Sequence, residues 1–283
     1  SDPFLEWYQS PLSLEDWLAG GSMLLLSSIF IPLTTLVAFI MYKADKEIIG
    51  YRYLVSSTFV DILCMIQYGG INGIAILFKN PLVDKKHGRS AMHFYLDWTW
   101  YTCCLHYPLI AWSRFAAIKT PMWFCRQKRW HSYLICLLPY LLALILGCST
   151  HWSQFFVRFY FEPAVYGMLA EDFVKWTIVL IIRDRSTSGG DQGFSKGQMS
   201  VEKRLMFPCV INNLIFVLGQ FAITLGTGTG KWATWLICLL FFINSAANCV
   251  LLLLFSPNIR ASVLRRGKSV STCERATVSV LQL

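Results

Sequence analysis

Asp61, His93, Asp97 and Arg114 stand within or at the ends of long apolar runs, where an ionisable group needs a partner or water. Arg114 lies in Trp112-Ser113-Arg114-Phe115-Ala116-Ala117-Ile118-Lys119-Thr120-Pro121, where an apolar stretch gives way to a basic one. A helix leaving a membrane places an arginine there, either snorkelling to the interface or serving as a functional cation. Two of the spacings that carry enzymatic chemistry are missing: there is no HExxH or similar metal spacing, and no phosphate loop. Gly226-Thr227-Gly228-Thr229-Gly230-Lys231 evokes the last of these but lacks its spacing and falls between two apolar runs. No enzymatic activity, cofactor or resident metal is expected from these residues.

Helical geometry relates the buried polar residues to one another. Asp61 lies about 12 Å in from the inner end of its run, and Asn248 about 10 Å in from the inner end of the last run, at 1.5 Å per residue. The two should be level. Asn244 and Asn248 share a helical face one turn apart, with Ser245 beside them. Asp61, Asn244, Ser245 and Asn248 would form either a water-filled polar pocket or a structural interhelical hydrogen-bond network. On another run His93, Asp97, Trp100 and Cys104 recur at helical spacing near the outer end. Asp97 could pair with a cationic ligand and Trp100 could stack on it; an interhelical salt bridge or hydrogen bond is the structural alternative. His106, deeper, reads as a packed, hydrogen-bonded histidine.

The elements that must position these groups are membrane helices. Of 283 residues, 55% are hydrophobic and only 14% charged, more apolar surface than a soluble domain buries. Apolar runs at 22–42, 53–78, 91–115, 132–148, 205–226 and 232–255 each suffice to cross a bilayer as a helix. A seventh, at 173–182, covers only about 15 Å, half the hydrocarbon core. It is followed at 183–198 by a Ser/Gly-rich linker. Stretch 150–162 reads as an aromatic loop. Lys and Arg concentrate in the segments after the first, third and fifth runs and in the tail, which places the N-terminus outside and the C-terminus inside. The expected fold is all-α: a polytopic membrane protein with a seven-transmembrane helix bundle, a short or truncated fifth helix, and a short basic amphipathic C-terminal helix. Ile259, Val263 and Leu264 among Arg260, Arg265 and Arg266 define that last helix. The divisions are an extracellular segment 1–21, a membrane domain 22–255 and a cytoplasmic tail 256–283. The ten cysteines sit mostly in apolar runs and read as small packing residues. The net charge of +9 is accounted for by topology and the anionic lipid bilayer, so nucleic acid is not an expected partner.

Asp61 in the second run, Ser113-Arg114-Phe115-Ala116-Ala117-Ile118-Lys119-Thr120-Pro121 after the third, and Asn244-Ser245-Ala246-Ala247-Asn248 in the last recur in order. In this the chain resembles a rhodopsin-like G-protein-coupled receptor over roughly 22–266. The Arg-Phe-x-Ala-Ile-x-x-Pro form of the third-helix motif is most similar to the nematode serpentine chemoreceptors of class x, sx or T type.

The resemblance implies that Arg114 is the switch released toward a heterotrimeric G protein, and that Ile118 and Pro121 shape the docking loop. Ser113 stands where an acidic residue or asparagine is usual, and Phe115 replaces the common tyrosine, so elevated basal activity is expected. Asp61, Asn244, Ser245 and Asn248 would correspond to a polar core that often holds sodium. Cys103, at a position where serine is common, weakens that metal expectation. Asn248-Cys249-Val250-Leu251-Leu252 replaces the Asn-Pro-x-x-Tyr motif, while the extracellular disulfide and the Cys-Trp-x-Pro switch are absent. The implied function is chemosensory: an extracellular small molecule or peptide bound near His93, Asp97 and Trp100, with signalling through the G protein. The implied location is the plasma membrane, including the ciliary membrane of sensory neurons. A small multi-pass transporter or channel, and a non-signalling truncated receptor isoform, are the alternatives.

Overall fold

Ser13 begins the first long helix through a reciprocal cap. Its hydroxyl accepts from the Asp16 amide at 3.2 Å, and the Asp16 carboxylate accepts from the Ser13 amide at 2.9 Å. The computed structural model describes residues 4–46, 48–80, 87–152, 159–170, 214, 230–256, 259–261 and 263. A short helix α1 (Leu5–Gln9) precedes α2 (Leu14–Ala44), which starts well before the run expected at 22. The second crossing is α3 (Gly50–Met65), a π turn (Ile66–Ile71) and α4 (Asn72–Leu77) in one continuous helix. Next come α5 (His87–Lys119), the loop helix α6 (Pro121–Cys125) and α7 (Arg129–Trp152). The last long helix, α8, is Lys231–Phe255.

Four of these helices are long and apolar enough to cross a membrane: Leu14–Ala44, Gly50–Leu77, Arg129–His151 and Lys231–Phe255. At 33 residues α5 is longer still, but it carries more polar side chains. The weak run at 173–182, the linker at 183–198 and the run at 205–226 lie outside the described residues, save Leu214.

The expected loop at 150–162 differs. Helix α7 continues to Trp152, and β1 (Phe159–Glu162) pairs antiparallel with β2 (Gly167–Ala170), Glu162 opposite Gly167. Tyr166 turns this hairpin at φ 55, a left-handed conformation held because its ring is fully buried and its hydroxyl donates to Asp16 at 2.6 Å. Burial and that carboxylate raise Tyr166 well above the ordinary phenol range, so it stays a donor. Asp16 also accepts from the Trp7 indole at 3.2 Å and faces Lys79 at 3.3 Å. One buried carboxylate thus ties α1, α2, the end of α4 and the hairpin into a cover over the end of the bundle where α2 begins.

Inside the bundle the core is layered along its axis. Val37, Tyr51, Ile110, Leu252 and Ile259 pack toward the end away from the cover, Val60, Tyr68, Leu96 and Phe242 in the middle, and Met23, Ile76 and Cys238 beneath the cover. Helices α2 and α4 cross at Gly20 and Gly73, where a Cβ on either would lie 3.1 or 3.0 Å from the other's carbonyl oxygen. Past α8 the chain is helical again at 259–261; Ile259 is buried and Val263 packs beside it, while Arg260 is exposed, which matches the expected amphipathic pattern.

Candidate functional site

Asp61 and Asn248 meet as the depth argument requires. The Asn248 amide donates to the Asp61 carboxylate at 2.8 Å, joining α3 to α8 with both groups buried. Ser245 is buried on the same helix. Asn244 does not extend this pair: its amide donates to the Tyr107 hydroxyl of α5 at 3.2 Å. Among the described residues the polar set is therefore two contacts from α8, one to α3 and one to α5. Cys103 faces Cys64 with sulfurs 3.7 Å apart, two free thiols in contact rather than a bond. His106 is packed and hydrogen-bonded, with Nδ1 to the Thr102 carbonyl at 2.8 Å and Nε2 to the Ser56 hydroxyl at 2.9 Å. A carbonyl only accepts, so Nδ1 carries the hydrogen and Nε2 accepts from Ser56.

Near the C-terminal end of α5, Arg114 is only 3% exposed. Its guanidinium lies against Gly50 at the start of α3, and a Cβ at Gly50 would collide with Nη1. Nε and Nη2 have no hydrogen-bond partner among the described residues. Ser113 gives it none, because the serine hydroxyl bonds back to the Ile110 carbonyl at 2.7 Å. Phe115 points outward, 54% exposed. The backbone at Ile118 lies in the last turn of α5, which ends at Lys119, and Pro121 opens α6 as its first residue.

Around Arg114 this end of the bundle is held by residues that sequence reasoning did not single out. The buried Asp45 carboxylate accepts from Arg129 at 2.9 Å and from the Tyr133 hydroxyl at 2.7 Å. Arg52, also buried, donates to the Asp45 carbonyl, the Gln127 carbonyl and the Ser132 hydroxyl, each at 3.1 Å. These partners lie 84 positions apart for Asp45 and Arg129, and no local spacing signals them.

The residues in the N-terminal half of α5 divide between two directions. His93 and Asp97 form an i,i+4 contact at 3.3 Å, and the His93 ring lies 4.9 Å from that of His151 near the end of α7. Trp100 instead packs edge-on against Phe241 of α8, ring centroids 4.9 Å apart. The contact of Asp97 with His93 lies within one helix. His151 was missed, although antiparallel helices place the outer end of the fourth run level with His93, and the same depth reasoning would have found it.

The arrangement as a whole is that of a known fold. The crystal structure of squid rhodopsin aligns with this chain at a TM-score of 0.68, covering 96% of this chain and 86% of that one at 11% sequence identity. The protein is thus an all-α membrane protein with the rhodopsin-like seven-helix fold. No protein-family model matches the sequence, and no curated protein matches it significantly.

Proposed function

We propose that this chain is a G-protein-coupled chemosensory receptor of the nematode serpentine type that its Arg114 motif resembles. It binds an extracellular small molecule or peptide and shifts its inner face to engage a heterotrimeric G protein. The observation that carries this reading is Arg114, a buried cation at the inner end of α5, seated against a glycine and followed at once by the α6 loop helix. Among the described residues packing holds it rather than an ion pair, so a modest rearrangement releases it toward the inner surface.

In this mechanism Arg114 is the switch and Ser113 leaves it without a local lock. Phe115, Ile118 and Pro121 shape the surface that meets the G protein. His93, Asp97 and Trp100 contribute to the ligand pocket, with Asp97 facing a cationic group of the ligand. Asp61, Cys103, Asn244, Ser245 and Asn248 transmit between the two ends, because α8 contacts α3 through one asparagine and α5 through the other. Residues 1–21 lie outside, 22–255 form the membrane domain and 256–283 the cytoplasmic tail, in the plasma membrane of a sensory neuron and its cilium. Catalysis plays no part.

The test is nucleotide exchange. Purified protein in lipid nanodiscs should accelerate GDP–GTP exchange on at least one heterotrimer, basally or with a compound from an odorant and peptide panel. Arg114→Ala should remove that activity while expression and folding persist. The reading fails if no heterotrimer responds, and it gives way to the transporter alternative if proteoliposomes move a solute instead.

A further inference from the structure

We propose that His93, Asp97 and His151 form a binding site for a divalent transition-metal ion of the zinc class, bridging the outer ends of α5 and α7. One ligand atom from each residue lies within 4.8 Å of the other two. His93 Nε2 and Asp97 Oδ2 are 3.3 Å apart. Two ligands held about 2.0–2.1 Å from a tetrahedral zinc are themselves about 3.3–3.4 Å apart. One edge of the coordination polyhedron is therefore already set by a single turn of α5, and His151 on α7 offers the third ligand atom.

The third ligand is prepared for the role. His151 Nδ1 lies 3.0 Å from the Gly147 carbonyl. A carbonyl oxygen only accepts, so Nδ1 carries the hydrogen and Nε2 keeps its lone pair. A histidine that ligates through one nitrogen and donates to a backbone carbonyl through the other is the usual arrangement at a metal site. The position of the three residues is also suitable. His93 is buried, whereas the Asp97 side chain is 21% exposed, which leaves a side open for the ion and for a water as fourth ligand.

Two imidazoles and one carboxylate select the metal. Magnesium and calcium require oxygen-rich sites, while zinc, copper and nickel favour imidazole. On binding through Nε2, the ion takes the place of the ring hydrogen between His93 and Asp97, and the neutral imidazole carries that hydrogen on Nδ1 instead. The site spans two helices, so any relative movement of α5 and α7 changes its affinity. It shares His93 and Asp97 with the ligand pocket proposed above, and a bound ion would neutralise the carboxylate there. The inference does not depend on the receptor reading, and its test has no signalling readout.

The probe is the metal alone, on the full chain in nanodiscs after alkylation of accessible thiols. Zinc titration should saturate at one ion per chain. Copper(II) should give an electron paramagnetic resonance spectrum with hyperfine splitting from two imidazole nitrogens. His93→Asn and His151→Asn should each weaken zinc by about tenfold or more, while His131→Asn, at the opposite end of α7, leaves it unchanged. Absence of saturable binding, or binding that both outer variants leave intact, overturns the site. Should either variant fail to fold, the wild-type copper spectrum decides alone: two coupled nitrogens support the site, and one or none overturns it.

Discussion

Asn248 and Asp61 form a pair whose value lies in what is left when one member is removed. Asn248→Ala abandons a buried carboxyl at 2.8 Å from its donor and should destabilise the protein by about 1–3 kcal/mol, read from thermal unfolding in detergent. The exchange Asp61→Asn with Asn248→Asp restores a donor opposite an acceptor. A double-mutant cycle should recover a coupling of about 0.6–1.7 kcal/mol, the range of such contacts between membrane helices; a coupling near zero would show the two to be independent. Gly50 offers the second test at this scale. Its missing side chain is the space the Arg114 guanidinium occupies, so Gly50→Ala must displace one or the other. Under the receptor reading the expected outcome is basal nucleotide exchange raised a few-fold and abolished again by adding Arg114→Ala. Unchanged exchange in a folded Gly50→Ala protein would remove Arg114 from the switch.

Among the elements, the closeness of α2 to α4 rests on which glycine faces which helix. A Cβ on Gly20 would sit 2.8 Å from the Leu77 side chain and 3.1 Å from the Gly73 carbonyl, whereas one on Gly21 meets nothing within 4 Å. Gly20→Ala should therefore cost about 1–3 kcal/mol and Gly21→Ala stay within about 0.5 kcal/mol of wild type. Thermal melts of the two neighbours compare them directly, and equal melting temperatures would mean that the helices do not cross there. The hairpin β1–β2 belongs to this scale too. Nothing in its local pattern, Phe159-Tyr160-Phe161-Glu162 before Pro163, demanded a hairpin, and its turn is fixed by Tyr166 reaching a carboxylate on α2.

For the molecule as a whole, direction through the membrane is the deciding quantity. Reporters placed after Lys46, near Gly189 and in the tail beyond Gly267 should all be found inside. A linker and tail on the outside would mean that the run at 173–182 does not cross, and the proposed G-protein surface would be lost. The likeness to squid rhodopsin extends over 96% of this chain, and it carries the fold while leaving the ligand to experiment.

Apolar runs of crossing length, the excess of basic residues in alternate connections and the levelling of Asp61 with Asn248 were legible without coordinates. Each follows from helix rise and from the cost of a charge in lipid, which act on one segment or on a pair of helix ends at a time. The partners of Asn244, Asp45, Arg52 and Asp16 were not legible. Their contacts join positions far apart in the chain, and which face of each helix turns toward which neighbour depends on packing between small residues such as Gly20, Gly50 and Gly73. Sequence determined how deep each polar group lies. Only the tertiary structure decided what it meets there, because rotation of a helix about its own axis is set by all its neighbours together.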